Sequence, residues 1–182
     1  LGLIGLVLSI WVYYFFRDPE RISINDENYL TSPADGEVLM VHEVDGPKEL
    51  GLEGKKFTKI SIFMNVFDCH VNRTPCEGKI SEIFYKPGKF LNASLDKASE
   101  DNERNYYKII NNQNEEIIVV QIAGLIARRI VCESTKDQQL QQGERLGMIR
   151  FGSRADVYFE NYETLVKVGQ KTIAGETLLA KR

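Results

Sequence analysis

The chain has 182 residues, 43% of them hydrophobic and 27% charged, with a formal net charge of −3. This composition is that of a globular domain, and it excludes both a disordered chain and a strongly basic nucleic-acid-binding protein. Three cysteines are too few, and odd in number, for a disulfide framework, so we expect a reducing compartment. The sequence contains no Cys-x-x-C motif, and we therefore expect no metal site.

Residues 1–16 form an uncharged, apolar run that becomes rich in aromatic residues at its end, and Arg17 follows directly. Such a run is typical of a membrane helix, a signal-peptide core or a buried core helix. No small-residue cleavage site follows it and no polar stripe interrupts it, which favours a membrane anchor. Because the chain begins with Leu rather than Met, we expect this anchor to be truncated. A position at a membrane indicates a lipid substrate.

After Arg17 the pattern changes to short strand-like segments separated by turn residues. The predicted strands are 36–44, 57–67, 79–85, 106–110, 116–122, 143–151, 155–159, 165–168 and 177–180. The fourth and fifth of these predict a hairpin across the turn 111–114. Residues 123–132 fit a helix or a strand, and their β-branched end favours a strand. We predict a mainly β or α+β fold, a compact antiparallel β domain preceded by a hydrophobic helix.

The sequence also contains segments that resemble a lipoyl-type carrier domain, and a long polar loop. Segments 32–41 and 166–180 resemble the two hairpin arms of a lipoyl-type β domain, and Leu-Asp-Lys-Ala at 95–98 resembles the lipoyl-lysine tetrad. The alternative function is therefore a non-catalytic carrier with Lys97 as its swinging arm. Lys97 lies far from both arms in sequence, which argues against that alternative. The polar segment 88–104 is predicted to be a mobile loop over the site.

Gly152 and Ser153 stand between two arginines, with apolar residues on both sides. Taken alone, a Gly-Ser pair indicates a turn. The chemical alternative is self-cleavage, in which the Ser153 hydroxyl attacks the Gly152 carbonyl and gives an ester. β-Elimination then releases the front chain, and the remaining dehydroalanine hydrolyses to a pyruvoyl group. Glycine suits this chemistry because it leaves the carbonyl open and tolerates a strained turn.

Self-cleavage needs a base, and the chain has two histidines. His42 lies in an alternating strand, which is typical of a residue without a chemical role. His70 follows an apolar strand and begins the polar segment His-Val-Asn-Arg, and Asp35 lies in a Pro-Ala-Asp-Gly turn. From the residues alone, His70 and Asp35 fit a structural role and a catalytic role equally well.

Six short motifs follow one another along the chain. They are Phe-Arg-Asp-Pro-Glu-Arg at 16–21, Ser-Pro-Ala-Asp-Gly at 32–36, Phe-Asp-Cys-His-Val-Asn-Arg-Thr-Pro at 67–75, Asn-Ala-Ser-Leu-Asp-Lys-Ala at 92–98, Gln-Ile-Ala-Gly-Leu-Ile-Ala-Arg-Arg at 121–129 and Arg-Phe-Gly-Ser-Arg at 150–154. In this order they resemble the short (type A) form of the phosphatidylserine decarboxylase proenzyme family, over residues 16–181. The resemblance implies cleavage between Gly152 and Ser153 into a 1–152 β chain and a 153–182 α chain.

The implied reaction is decarboxylation of phosphatidylserine to phosphatidylethanolamine and CO₂. Loss of CO₂ from an amino acid leaves a carbanion, and a carbonyl cofactor takes up its charge as a protonated imine. The resemblance implies that this cofactor is a pyruvoyl group made from Ser153, which forms a Schiff base with the substrate. The alternative substrate is another serine phospholipid such as archaetidylserine.

The resemblance also implies an Asp35, His70 and Ser153 triad for self-cleavage. The long form of the family has His-x-x-His where this chain has His70 followed by Val, Asn and Arg73, and arginine is not a neutral base. Either His70 performs the tasks of both histidines of the long form, or Asp35 activates Ser153 directly. We predict that His70 is the base.

Anionic groups of a phospholipid require cationic or amide ligands. We predict Arg73, Asn72 and Arg154 as substrate-binding residues, and Arg128 and Arg129 are further candidates. An apolar wall that desolvates the substrate carboxylate is predicted from Phe63, Met64, Val66 and Phe67. The expected partners are a phospholipid, a membrane, the two chains of one precursor and a second copy in a homodimer. The expected location is the cell membrane, peripheral or anchored, with the catalytic domain on the cytoplasmic side.

Overall fold

The computed structural model describes residues 2–94, 101–124, 129–150 and 153–182. Within these ranges an N-terminal helix, α1, is followed by strands β1–β14 and by a short 3-10 helix at Lys48–Leu50. All pairs of named strands that share a ladder are antiparallel. The prediction of a mainly β, antiparallel domain with a leading hydrophobic helix is confirmed.

The elements follow one another with turns between them. The helix α1 is Gly2–Phe15. The strands are β1 Tyr29–Thr31, β2 Gly36–Asp45, β3 Lys56–Met64, β4 Val71–Arg73, β5 Gly78–Lys86, β6 Arg104–Asn111, β7 Glu116–Ala123, β8 Ile130–Cys132, β9 Gln139–Leu140, β10 Arg145–Ile149, β11 Ser153–Phe159, β12 Glu163–Thr164, β13 Lys171–Thr172 and β14 Leu178–Lys181.

These strands form three sheets in the described residues. The largest has eight strands in the order β13-β2-β3-β11-β7-β6-β5-β9, and the other two are β1-β14-β12 and β4-β10-β8. Strand β11 therefore lies between β3 and β7 and pairs with both of them. Because backbone hydrogen bonds hold this strand on both sides, the residue that begins it has a fixed position.

Both faces of the middle of the large sheet are buried. On β11, Ala155, Val157 and Phe159 face the main hydrophobic core, whereas Tyr158 packs against a second, smaller cluster. That second cluster consists of Leu50, Phe57, Tyr106, Ile118, Val120 and Ile122. Since side chains alternate along a strand, Ser153 belongs to the main-core face and Arg154 to the opposite face.

Eight of the nine predicted strands overlap an observed strand, although their ends differ, and the remaining one does not form. The hairpin is confirmed, because β6 and β7 pair on either side of the predicted turn. Strand β3 ends at Met64 rather than at residue 67, because Asp68 N–H donates to the Asn65 carbonyl and the Asp68 carboxylate accepts from Asn65 N–H, at 3.0 and 2.8 Å. The prediction of a strand at 165–168 is wrong, since the ladder ends at Thr164.

The predicted loop 88–104 is described at both of its ends. The buried Asn102 amide donates to the carbonyl oxygens of Leu91 and Ala123, each at 2.8 Å, and so ties this segment to the end of β7. Residues 95–100 lie outside the described residues. The predicted mobility of the middle of this loop, and Lys97 of the carrier alternative, fall on that part of the chain.

Helix α1 carries apolar side chains on all sides, and of these Phe15 is buried. Leu3, Leu6 and Ile10 are 75%, 58% and 60% exposed. Among the described residues, no helix combines the length and the hydropathy needed to cross a membrane.

Candidate active site

Ser153 is placed at the start of β11, in the middle of the large sheet. Its ladder partners are Met64 on β3 and Ala123 on β7. The side chain is fully buried, and its Oγ lies 3.8 Å from the Met64 Sδ. No nitrogen or oxygen of the described residues hydrogen-bonds to this hydroxyl. Gly152, the other half of the predicted cleavage site, lies outside the described residues.

Asn72 contacts the same methionine sulfur as Ser153. Its side-chain Nδ2 lies 3.6 Å from the Met64 Sδ and donates to the carbonyl oxygen of Pro33 at 3.3 Å. Asn72 is fully buried in β4, which comes from a different sheet. The structure therefore brings together two residues that are far apart in sequence.

Two residues that the sequence reasoning missed extend this contact into a buried polar chain. Gln121 Nε2 donates to Asn72 Oδ1 at 2.9 Å, and Tyr107 Oη donates to Gln121 Oε1 at 2.9 Å. After Glu116, Gln121 is the only polar residue of strand β7, and its side chain points to the same core face as those of Val119 and Ala123. That inward-pointing amide is the signal that would have identified it, because buried polar groups require a partner.

His70 lies buried between the turn that ends β3 and the start of β4. Its Nδ1 is 3.0 Å from the Asp68 carbonyl oxygen, which only accepts, so Nδ1 carries the proton. Nε2 is then a lone-pair acceptor, and it has no hydrogen-bond partner among the described residues. Burial lowers the pKa of His70 to about 4, and the ring is neutral at pH 7. The Phe15 ring of α1 packs on it at 4.4 Å between centroids.

Asp35 lies just before β2, at the end of the sheet that carries Ser153, with β3 between the two. Its carboxylate accepts from Arg21 Nη2 and from the Ala174 N–H, each at 2.8 Å. The next residue, Gly36, has φ 149°, and a side chain there would overlap the carbonyl of Phe63, so the turn requires glycine. In the described part of the chain, Asp35 makes no hydrogen bond with His70 or with Ser153.

Arg73 is engaged on the side of the chain that follows α1. One of its Nη atoms donates to the Gly143 carbonyl at 2.9 Å, and the other donates to Asp18 at 2.7 Å and to the Pro19 carbonyl at 3.0 Å. Asp18 also pairs with Arg145. In this arrangement Arg73 fastens the segment after α1 to β4.

Arg154 follows Ser153 directly and therefore points to the opposite face of β11. It is fully buried, and its guanidinium forms a bidentate pair with Asp156, with Nε–Oδ1 and Nη2–Oδ2 distances of 2.6 and 2.8 Å. The further candidate Arg128 lies outside the described residues, and Arg129 is exposed.

The residues predicted to form an apolar wall are divided by the structure. Met64 is fully buried and contacts Ser153, whereas Phe63 and Val66 are half-buried. Phe67 is 62% exposed, and its carbonyl accepts from Arg17 Nη2 at 2.9 Å. Its exposure follows from the turn at 65–68, which takes the chain out of the sheet before residue 67.

Comparison with known proteins decides the family. The sequence profile described as "Phosphatidylserine decarboxylase" matches residues 8–180. The chain belongs to this family. It is 94% identical over 182 residues to the phosphatidylserine decarboxylase proenzyme of Pelagibacter ubique (strain HTCC1062), covering 100% of this chain and 85% of that protein. It is 57% identical over 181 residues to the proenzyme of the same name from Ruegeria pomeroyi (strain ATCC 700808 / DSM 15171 / DSS-3), covering 99% and 83%.

Membership in the phosphatidylserine decarboxylase family confirms three predictions from the sequence. These are the family itself, the enzyme class and the pyruvoyl cofactor, since a proenzyme of this family makes that group from one of its serines. The non-catalytic carrier alternative is set aside by the same finding. The roles of individual residues stay predictions.

Proposed function

We propose that this chain converts phosphatidylserine to phosphatidylethanolamine through a pyruvoyl group made from Ser153, after self-cleavage between Gly152 and Ser153. The observation that carries the proposal is the placement of Ser153. It is a buried hydroxyl at the first position of a central strand, next to a sulfur and an amide donor. When formed, the pyruvoyl carbonyl supplies the electron sink for the carbanion that loss of CO₂ leaves.

The surroundings of Ser153 fit a small carbonyl group. Met64 and Ala123 provide apolar neighbours, and Asn72 provides an N–H donor on the same side. An apolar, water-free enclosure favours loss of a charged carboxylate, and a fixed donor favours negative charge on a carbonyl oxygen. Backbone pairing on both sides keeps residue 153 in place once its bond to Gly152 is cut.

We propose His70 as the base of self-cleavage. What supports it is a neutral ring whose Nε2 lone pair is unused in the described residues, at the same end of β3 as Ser153. Asp35 stays in the proposal as the acidic residue of this end of the sheet. Its carboxylate accepts one bond from Arg21 and one from the Ala174 N–H and has further lone pairs, so acting on His70 or Ser153 requires that residue to come within hydrogen-bond distance.

We propose that the anionic groups of the substrate are bound by Asn72, Arg73 and Arg154. Asn72 has the strongest support, because its amide already reaches the Met64 side chain beside Ser153. Arg73 and Arg154 are each paired with an aspartate, so a phosphate or a carboxylate has to share the guanidinium with that aspartate or replace it.

The domain organisation in this proposal has an anchor at 1–16 and a decarboxylase domain at 17–182, which self-cleavage divides into a 1–152 β chain and a 153–182 α chain. The two terminal arms also support the lipoyl-like likeness, since Thr172 of β13 pairs with Gly36 and Lys171 pairs with Glu37. We also propose that two copies form a homodimer through a sheet edge. Sedimentation of the intact enzyme tests this proposal.

We further propose that the enzyme lies at the cell membrane, anchored or peripheral, with its catalytic domain on the cytoplasmic side. The exposed apolar side chains of α1 support contact with lipid, and the free cysteines of the described chain fit a reducing compartment. Phe15 connects this helix to the site, because its ring packs on His70. A lipid held along α1 therefore arrives at the His70 end of the sheet.

Mass spectrometry under denaturing conditions tests the proposal. We expect two fragments, 1–152 and 153–182, with the second beginning at a blocked pyruvoyl group. Ser153→Ala should stay intact and inactive, whereas Ser61→Ala, at an equally buried serine on the neighbouring strand β3, should cleave normally. A single intact chain in an active preparation would contradict the proposal. Activity on archaetidylserine without activity on phosphatidylserine would replace the proposed substrate.

A further inference from the structure

We infer that Gln121 and Tyr107 are positioning residues that keep the amide N–H group of Asn72 on the Ser153 side. The inference rests on the proposed function, because it makes Asn72 the donor at the proposed pyruvoyl site. Among the hydrogen bonds of the described residues, those of Gln121 and Tyr107 do not reach the Met64 sulfur or Ser153. We therefore infer that both residues act through Asn72.

The direction of the polar chain follows from a backbone carbonyl at one end. The Pro33 oxygen can only accept, so the side-chain nitrogen of Asn72 has to face it, at 3.3 Å. Asn72 Oδ1 then faces Gln121 and requires a donor there. Gln121 consequently turns its own nitrogen toward Asn72 and its oxygen toward the Tyr107 hydroxyl at 2.9 Å. The Leu146 carbonyl also faces that hydroxyl, at 3.1 Å, but it accepts from Ser134 Oγ at 3.2 Å, so the Tyr107 hydrogen is available to Gln121.

Burial makes this arrangement costly to reverse. Asn72, Gln121 and Tyr107 are all 0% exposed, so water cannot replace a lost partner. A flipped Asn72 would place its oxygen against the Pro33 carbonyl and leave two acceptors facing each other. The chain of three side chains therefore holds one orientation of the Asn72 amide.

In this orientation one amide hydrogen of Asn72 forms only a weak hydrogen bond. Its Nδ2 uses one hydrogen on Pro33 O, and the second faces the Met64 sulfur at 3.6 Å, which is a weak acceptor. The same sulfur lies 3.8 Å from Ser153 Oγ. A stronger acceptor that forms at residue 153, such as a carbonyl oxygen that gains negative charge, can take this hydrogen over.

Gln121→Glu tests the direction of the chain at almost constant volume. An ionised carboxyl at this position only accepts, so Asn72 has to turn its N–H group toward it and away from Ser153. A protonated carboxyl donates to Asn72 as the native glutamine does. Burial raises the pKa of a carboxyl, which brings its titration between about pH 5 and pH 9.

We therefore expect the self-cleavage and decarboxylation rates of Gln121→Glu, relative to the wild type, to fall as the pH rises. At the upper end the deficit should reach about 100-fold, the scale of a lost oxyanion donor, and for decarboxylation it should lie in kcat more than in KM. Among the described residues, Cys132 and Glu133 are the titratable groups that act on the Tyr107 hydroxyl. Burial raises the pKa of Tyr107, so its hydroxyl stays a donor over this range.

The matched control is Tyr106→Phe, at the neighbouring residue of β6. Tyr106 is 2% exposed and belongs to the second hydrophobic cluster, on the opposite face from Tyr107. We expect the wild-type pH profile for Tyr106→Phe. For Tyr107→Phe we expect a loss of up to about tenfold, since the neutral contacts of its hydroxyl with Gln121 and with the Leu146 carbonyl are removed while Pro33 still orients Asn72.

The outcomes separate this inference from the proposed function. A wild-type chain that never cleaves would overturn the proposed function. If the wild type cleaves and a folded Gln121→Glu shows the same pH profile, the positioning role is overturned. If Gln121→Glu does not fold, Asn72→Asp decides, because it keeps the bond from Gln121 and loses the donor; wild-type rates in that variant would overturn the inference.

Discussion

At the scale of individual residues, burial determines which side chains near Ser153 are neutral and which charged side chains require a partner. His70 is neutral because it is desolvated beneath Phe15 and because its Nδ1 is satisfied by a backbone carbonyl. Arg154 is accommodated with its charge on the other face of the sheet because Asp156 meets it in a bidentate pair. At this scale the chemistry of a residue depends on what covers it.

His70 should make the protein less stable in mild acid. Its pKa of about 4 in the folded chain lies below the ordinary value of 6.5, so as the pH falls protons bind first to the unfolded state. We expect the free energy of unfolding to be fully retained above about pH 6.5 and to fall by about 3 kcal/mol toward pH 4. Denaturant unfolding at a series of pH values measures this loss.

Two variants assign the acid effect. In His70→Gln the slope between pH 6.5 and pH 4 should become shallower, because the buried group no longer titrates. His42→Gln, which removes the second histidine of the chain, should keep the wild-type slope. Equal slopes in all three proteins would show that His70 is not the group responsible.

At the scale of elements, α1 and β11 have opposite relations to the core. Strand β11 is paired on both sides and buried on both faces. Helix α1 packs through Phe15 at its end and leaves most of its apolar side chains exposed. Hydrophobic side chains in β11 stabilise the fold, whereas those in α1 are available to a lipid surface.

Substitution on α1 should weaken membrane binding without loss of the fold. We expect a variant with Leu3, Leu6 and Ile10 changed to Gln to lose most of its co-flotation with phospholipid vesicles, because these exposed side chains lose their apolar area. Glutamine retains good helix propensity. The control is Tyr85→Gln, at a 53% exposed aromatic residue on β5, which should float like the wild type. Undiminished flotation of the triple variant would exclude α1 as the lipid-binding element.

At the scale of the whole molecule, the proposed cut does not divide the fold. The segment after Ser153 supplies β11 to the middle of the large sheet and β14 to the middle of the sheet β1-β14-β12. Both strands are held by partners from the front chain or from their own segment. The 153–182 fragment therefore supplies a central strand of the large sheet and two of the three strands of the sheet β1-β14-β12.

The two chains should stay together after cleavage. We expect native mass spectrometry and size-exclusion chromatography to show one species that contains both fragments, since β11 and β14 are buried and doubly paired. Separation should require denaturant. Release of the small fragment in native buffer would mean that the backbone pairing around β11 does not survive the cut.

Local features of the sequence determine a large part of this protein. The alternation of apolar residues predicts the strands, an Asn-rich turn predicts the β6–β7 hairpin, and six ordered motifs predict the family and its serine-derived cofactor. These succeed because strand periodicity, turn chemistry and motif order are written in consecutive residues.

Tertiary structure alone decides which side chains meet. The sequence places Asp35, His70 and Ser153 in one hypothesis, yet Asp35 contacts Arg21 and Ala174, and His70 contacts Asp68 and Phe15. The partners of Arg73 and the chain from Tyr107 through Gln121 to Asn72 are equally invisible in sequence. The physical reason is that charge, hydrogen bonding and burial depend on residues brought from distant strands, whereas the motifs record only which groups are available.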